Sequence, residues 1–229
     1  MIKLIFVLLE MILIVLLKFI FKVDLKKAKE LEENKNLKQV TDKFPENIVL
    51  AKEMLEMLGN KNVKIEEAKD TKTSLYVAIT DKIIIADLKD NYGRIGTIAH
   101  ECLHSVQDRT LLVFNFIFSN FAIIYWILTI VLIVCNVFTN IFFHTFILLL
   151  LFYIQTTVRA YLEIDAITKS KFLAKEYIES KKLCAEEEKN KLISQYEIIN
   201  NMGVRFYIYR FIISSITKIN ILLLIYFLK

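Results

Sequence analysis

From Thr110 to Val158 the chain carries no Asp, Glu, Lys or Arg, and aliphatic and aromatic residues fill almost every position. A membrane-crossing helix needs about 20 apolar residues, so this stretch predicts two of them, folded as a hairpin over 110–158. The polar run Asn136-Val-Phe-Thr-Asn140 marks the turn. A further apolar segment at 4–21 is interrupted only by Glu10 and Lys18, and Lys18 lies near enough to the end to snorkel. It predicts an uncleaved N-terminal transmembrane anchor over 1–23, because 18–29 offers no small-residue cleavage site. The last apolar segment, 206–229, carries Arg210 and Lys218 and predicts a transmembrane or interfacial helix, with spanning favoured.

Between these segments lie two polar stretches, 24–109 and 159–205. In the first, Ile48, Ala51, Met54, Leu55 and Leu58 form a helical stripe that ends at Gly59. Short β-branched runs at 63–65, 75–79 and 83–86 predict a small sheet. From about Asn91 a helix is expected to run on into the membrane. The charge-rich segments 24–40 and 170–200 have helical spacing and predict solvated helices. The fold class is therefore mainly α, with polytopic membrane helices and a small α+β part in the polar stretches.

Composition agrees with a membrane protein: 55% of residues are hydrophobic and the mean hydropathy is +0.46. Four Gly and one Pro leave little material for turns and favour long helices. The net charge of +5 does not predict nucleic-acid binding, because Lys and Arg interleave with Asp and Glu beside the apolar spans. Lys18, Lys22, Lys26, Lys27, Arg109, Arg159, Lys169, Lys171 and Arg205 flank the polar stretches, against Lys3 and Lys229 on the other side. The positive-inside rule then assigns the polar stretches to the cytoplasmic side of the membrane, with the lipid bilayer as a partner. Cys102, Cys135 and Cys184 show no paired spacing, and Cys102 is expected to pack rather than react.

Candidate chemistry concentrates at His100-Glu101-x-x-His104. On a helix, positions i and i+4 share a face, so two imidazoles can hold one ion. Zn2+ suits such a pair, because it accepts neutral nitrogen donors and keeps a fourth position open once a third protein donor arrives. Glu101 is the candidate base that takes a proton from the attacking water. The remaining histidine, His144, lies within the uncharged hairpin and is expected to pack rather than bind metal. The third donor must then be an acid brought back by the hairpin, and Tyr161-Leu-Glu163-Ile-Asp165-Ala166 offers two. Being two apart on a helix, Glu163 and Asp165 face nearly opposite ways, so only one can join the ion.

At these residues the chain resembles the bacterial membrane-bound neutral zinc metallopeptidases of the YugP type. The resemblance covers an N-terminal span, the Ala-Lys-Glu-Met-Leu helix at 51–55, Ala99-His-Glu-x-x-His-x-x-Gln107, the hydrophobic hairpin and Glu163-x-Asp-Ala166. It implies metal ligation by His100, His104 and Glu163, catalysis by Glu101, and a supporting role for Asp165. Leu103 stands where the family commonly has Gly, and Ile167 where it has Ser. The implied function is a zinc metalloendopeptidase that hydrolyses a peptide or protein substrate at the cytosolic membrane surface with a zinc-activated water. The small α+β cytosolic part is expected to be zincin-like, and by analogy with such folds an extended substrate is expected to pair with the strand at 83–86. The alternative is a non-catalytic structural or partner-binding membrane protein, with or without structural zinc. An intramembrane protease is disfavoured by the charges around the motif, among them Arg94, Asp108 and Arg109. No oligomeric state is implied.

Overall fold

The computed structural model describes residues 2–24, 26, 34–68, 71, 73–88, 91–137 and 140–228. Among them are seven helices and three strands: α1 (Ile2–Ile20), α2 (Lys35–Thr41), α3 (Asn47–Met57), β1 (Lys64–Ala68), β2 (Leu75–Val77), β3 (Lys82–Ala86), α4 (Arg94–His104), α5 (Arg109–Val134), α6 (Ile141–Lys181) and α7 (Glu186–Leu228). Of the helical segment expected at 24–40, residues 25 and 27–33 lie outside the described residues, and its last part enters α2. Two compact units arise. One comprises Met1–Val23, Phe114–Tyr161 and Arg205–Lys229, and the other Asp24–Val113 and Leu162–Val204.

The first unit collects the apolar segments. Helices α5, α6 and α7 are each long and apolar enough to cross a membrane, and only 17%, 17% and 11% of their most apolar stretches are buried. Side chains such as Ile124 and Phe142 therefore face outward, an arrangement that lipid tolerates and water does not. Each 18-residue stretch of α1 contains Lys3, Glu10 and Lys18, so α1 falls outside this group of three, and a transmembrane anchor there remains an expectation from the sequence. The inner contacts come from Ala122, Ile133, Leu148, Phe152 and Leu222.

Helices α6 and α7 are joined there by reciprocal contacts. Lys218 Nζ lies 5.1 Å from the Phe152 ring centre, Arg159 Cζ lies 5.4 Å from that of Phe211, and Thr156 Oγ1 meets Ser215 Oγ at 3.4 Å between them. The pairing descends one helix as it climbs the other, which is an antiparallel register. Trp126 Nε1 donates to the Lys218 carbonyl at 2.8 Å and ties α5 to the same place.

The second unit gathers the two polar stretches around one core. Leu50, Ala51 and Met54 of α3, Ile83 and Ile85 of β3, and Ile95, Ile98 and Ala99 of α4 are fully buried. Burial of each large aliphatic side chain contributes about 1.5–3 kcal/mol. Leu173, Ala174 and Tyr177 of α6 join this core, as do Leu192 and Tyr196 of α7. The charge-rich 170–200 segment is thus solvated on one face only, a correction to the solvated helix expected there. Helix α2 is capped by Asn34, whose Oδ1 accepts from the Leu37 N–H at 3.2 Å. Helix α3 stops where Gly59 adopts φ +72°, a conformation that suits glycine.

The sheet runs β1-β3-β2, with β3 parallel to β1 and antiparallel to β2. Its most apolar strand, β3, takes the centre, where both faces can be covered. Both edges of β3 are occupied, so the expectation that a substrate pairs with 83–86 is corrected.

Helix α4, which carries the histidine motif, begins at Arg94 and ends at His104, and the chain turns through 105–108 before α5 begins. The uninterrupted helix expected from Asn91 into the membrane is therefore two helices. Asp108 causes the restart: its Oδ1 accepts from the N–H groups of Thr110 at 2.7 Å and Leu111 at 3.2 Å. At the other end of α4, the buried Arg94 guanidinium donates to the carbonyls of Thr41, Phe44 and Pro45 and to Asn47 Oδ1, at 2.6 to 3.1 Å. A guanidinium so fully paired fixes the α2–α3 connection against the start of α4.

Candidate metal centre

Positions i and i+4 of α4 bring His100 and His104 onto one face, with Nε2 atoms 3.1 Å apart and rings edge to face. From α6, Glu163 directs Oε2 to 3.4 Å from His100 Nε2 and 3.8 Å from His104 Nε2. Donors held about 2.0–2.1 Å from a tetrahedral ion are separated by about 3.3 Å along each edge. The three observed edges, 3.1, 3.4 and 3.8 Å, bracket that value, so the residues fit a small divalent cation. Two imidazole nitrogens and one carboxylate oxygen could supply three corners of such a set.

Of the two acids that the hairpin returns, Glu163 reaches the imidazoles and Asp165 does not. Asp165 instead accepts from Lys169 Nζ at 2.5 Å and from Gln107 Nε2 at 2.9 Å. His144 is not one of these donors; it belongs to the other compact unit and shares a 2.7 Å hydrogen bond with the Tyr125 hydroxyl.

The electrostatics of the cluster favour a positive charge. Burial pushes the Glu163 carboxyl up, but the hydrogen bonds and charge of His100 and His104 outweigh it and hold the group well below the usual carboxylate range. Burial acts to lower His104, yet Glu163, Glu101 and Gln107 together raise it. Two carboxylates thus bear on one pair of imidazoles, and a cation seated between them is attracted by both.

Glu101 is buried at 6% exposure and is not one of the three donors. Burial raises its carboxyl above the ordinary value, against the opposing pull of His100 and His104 and a hydrogen bond from the Tyr76 backbone. The Tyr76 hydroxyl turns elsewhere, donating to Asp81 Oδ1 at 2.8 Å. Burial and Asp81 push its pKa up to about 12. Cys102, fully buried, donates to the Ala51 carbonyl at 3.7 Å, and burial raises its thiol far above the range of a reactive cysteine.

Two contributors were not assigned roles from the sequence: the Tyr76 backbone beside Glu101, and the Gln107 amide, whose Oε1 lies 2.8 Å from His104 Nδ1. A glutamine one turn beyond the second histidine was the visible signal for the latter. No protein-family model, no curated protein and no solved structure matches this chain.

Proposed function

We propose that the protein is a membrane-bound zinc metallopeptidase in which Glu101 drives hydrolysis of a peptide bond. The observation that carries this is the convergence of His100, His104 and Glu163 on one tetrahedral set, beside a buried glutamate that is not part of it. Two histidines and one glutamate are a donor set of catalytic zinc sites, with a corner left open. The ion, when bound, supplies Lewis acidity that polarises a scissile carbonyl and acidifies a water.

Glu101 accepts the proton of the attacking water and passes it to the departing amine nitrogen, so its carboxylate is regenerated in each cycle. Burial raises its carboxyl, which favours holding the proton between the two transfers. The Tyr76 backbone beside it favours the charged form of the carboxylate. Strands β1 and β2, not β3, are the edge strands among the described residues, and of the two it is β2 whose Tyr76 backbone lies beside Glu101. An extended substrate would add to that edge through main-chain hydrogen bonds. The apolar helices α5, α6 and α7 support a place in the lipid bilayer.

The test uses detergent-purified protein and a pool of quenched-fluorescent peptides. Wild type should hold a single zinc ion per chain and lose hydrolysis on chelation. Glu101→Gln should keep the zinc and lose at least about 100-fold in rate, the scale of general-base catalysis. Wild type that carries no metal, or a Glu101→Gln variant that cleaves at the normal rate, would leave a structural or partner-binding membrane protein instead.

A further inference from the structure

The metal donors come from two chain segments far apart in sequence, and one side chain touches both. Gln107 Oε1 lies 2.8 Å from His104 Nδ1, while Gln107 Nε2 donates to the Leu162 carbonyl at 2.8 Å and to Asp165 Oδ2 at 2.9 Å. Leu162 and Asp165 bracket Glu163, the donor from α6. We propose that Gln107 is the positioning residue of the centre, setting the tautomer of His104 and docking the chain on both sides of Glu163.

Hydrogen-bond polarity carries the argument. A backbone carbonyl and a carboxylate oxygen only accept, so both must face the amide nitrogen, and the orientation of Gln107 is determined without ambiguity. Lys169 engages the other Asp165 oxygen and leaves Oδ2 for Gln107. The amide oxygen is thereby turned to His104. Because that oxygen only accepts, Nδ1 must carry the proton and donate it. In neutral His104 the lone pair then belongs to Nε2, the atom 3.1 Å from His100 Nε2 and 3.8 Å from Glu163 Oε2. A ring presenting Nε2–H instead would be closed to a metal ion. The same amide that opens His104 for ligation also holds the segment delivering Glu163, so neither half of the donor set is placed independently of the other.

This inference rests on the metal site proposed above, and the experiment separates the two. Zinc affinity is measured by chelator competition on detergent-purified wild type, Gln107→Leu, Gln107→Glu and the double variant Gln107→Glu with Asp165→Asn. The His104 tautomer is read without metal from imidazole 15N chemical shifts. Gln107→Leu should weaken zinc binding by about 10–100-fold, the usual cost of removing a residue that supports a ligand, and should deplete the Nδ1–H tautomer. Gln107→Glu keeps the acceptor for Nδ1–H, so the tautomer should survive while affinity falls, since a carboxylate cannot donate to Asp165. In the double variant the amide introduced at position 165 becomes the donor to the carboxylate introduced at position 107, and part of the affinity should return. A purely structural glutamine would yield neither the tautomer change nor this recovery. Tight zinc binding by wild type and Gln107→Leu alike, with Nδ1–H retained, overturns the inference and leaves the metal site standing. Wild type that binds no zinc overturns the site, and the tautomer measurement then decides the role of Gln107 alone.

Discussion

The side chains that matter here are coupled to partners far away in sequence. Glu53 on α3 accepts from the Tyr177 hydroxyl at 2.6 Å and from Lys181 Nζ at 2.5 Å, both on α6. Burial acts to raise its carboxyl, but these two donors and the charge of Lys181 pull it below the ordinary value of 4.5. A carboxyl depressed in the folded state stabilises fully above its unfolded pKa, and that contribution disappears as pH falls through the folded value. Wild type should therefore melt above Glu53→Gln at neutral pH, and the gap should close as the pH is taken below 4.5. A constant gap across a pH series of thermal melts would show that Glu53 acts through packing alone. Residues of this kind divide by what the sequence makes legible. His100, Glu101 and His104 stand out because helical spacing alone brings the two rings together. Glu163 and Asp165 cannot be separated that way, since the rotation of α6 depends on packing at Leu173, Ala174 and Tyr177 further along it. Gln107 is less legible still, because its function lies in a carbonyl and a carboxylate 55 and 58 residues away.

Among the elements, the apolar hairpin helices are read directly from the absence of charge over 110–158, and the sheet from its β-branched runs. The break between α4 and α5 is not, because Ser105, Val106 and Gln107 contain no helix-breaking residue. Asp108 was the available signal, an N-cap residue standing before a long helix. The order of strands could also have been anticipated, since Ile83-Ile-Ile belongs in the interior of a sheet and Glu66-Glu67 at its edge. The reciprocal contacts of α6 and α7 need both helices in register and so belong to the folded state alone. They predict a measurable coupling between Lys218 and Phe152. In detergent, the double variant Lys218→Met with Phe152→Leu should be more stable than the two single losses imply, by about 0.5–2 kcal/mol, the range of a cation over an aromatic ring. Strict additivity in unfolding measurements would mean that the ammonium merely passes the ring.

At the level of the whole molecule, two polar stretches separated by a hydrophobic hairpin belong to one compact unit. Helices α5 and α6, if both cross the bilayer, return the chain to its starting side, so the stretches meet on the same face. The native cysteines provide the test, because Cys135 is exposed at the hairpin turn and Cys184 lies between α6 and α7. Variants retaining only one of them should react with a membrane-impermeant maleimide from opposite faces, with Cys184 on the cytoplasmic side. A cysteine introduced at Lys61 should label together with Cys184. Labelling of Cys135 and Cys184 from a common face would contradict the hairpin. The divided origin of the polar unit also bears on synthesis. A ribosome that has released residues 24–113 has produced both histidines and the glutamate between them, but neither Glu163 nor the α6 and α7 segments that complete their core. Under the proposed mechanism the nascent chain is thus inert towards its own translation machinery until both arms of the hairpin have been inserted, and hydrolytic competence arrives only with completed membrane integration.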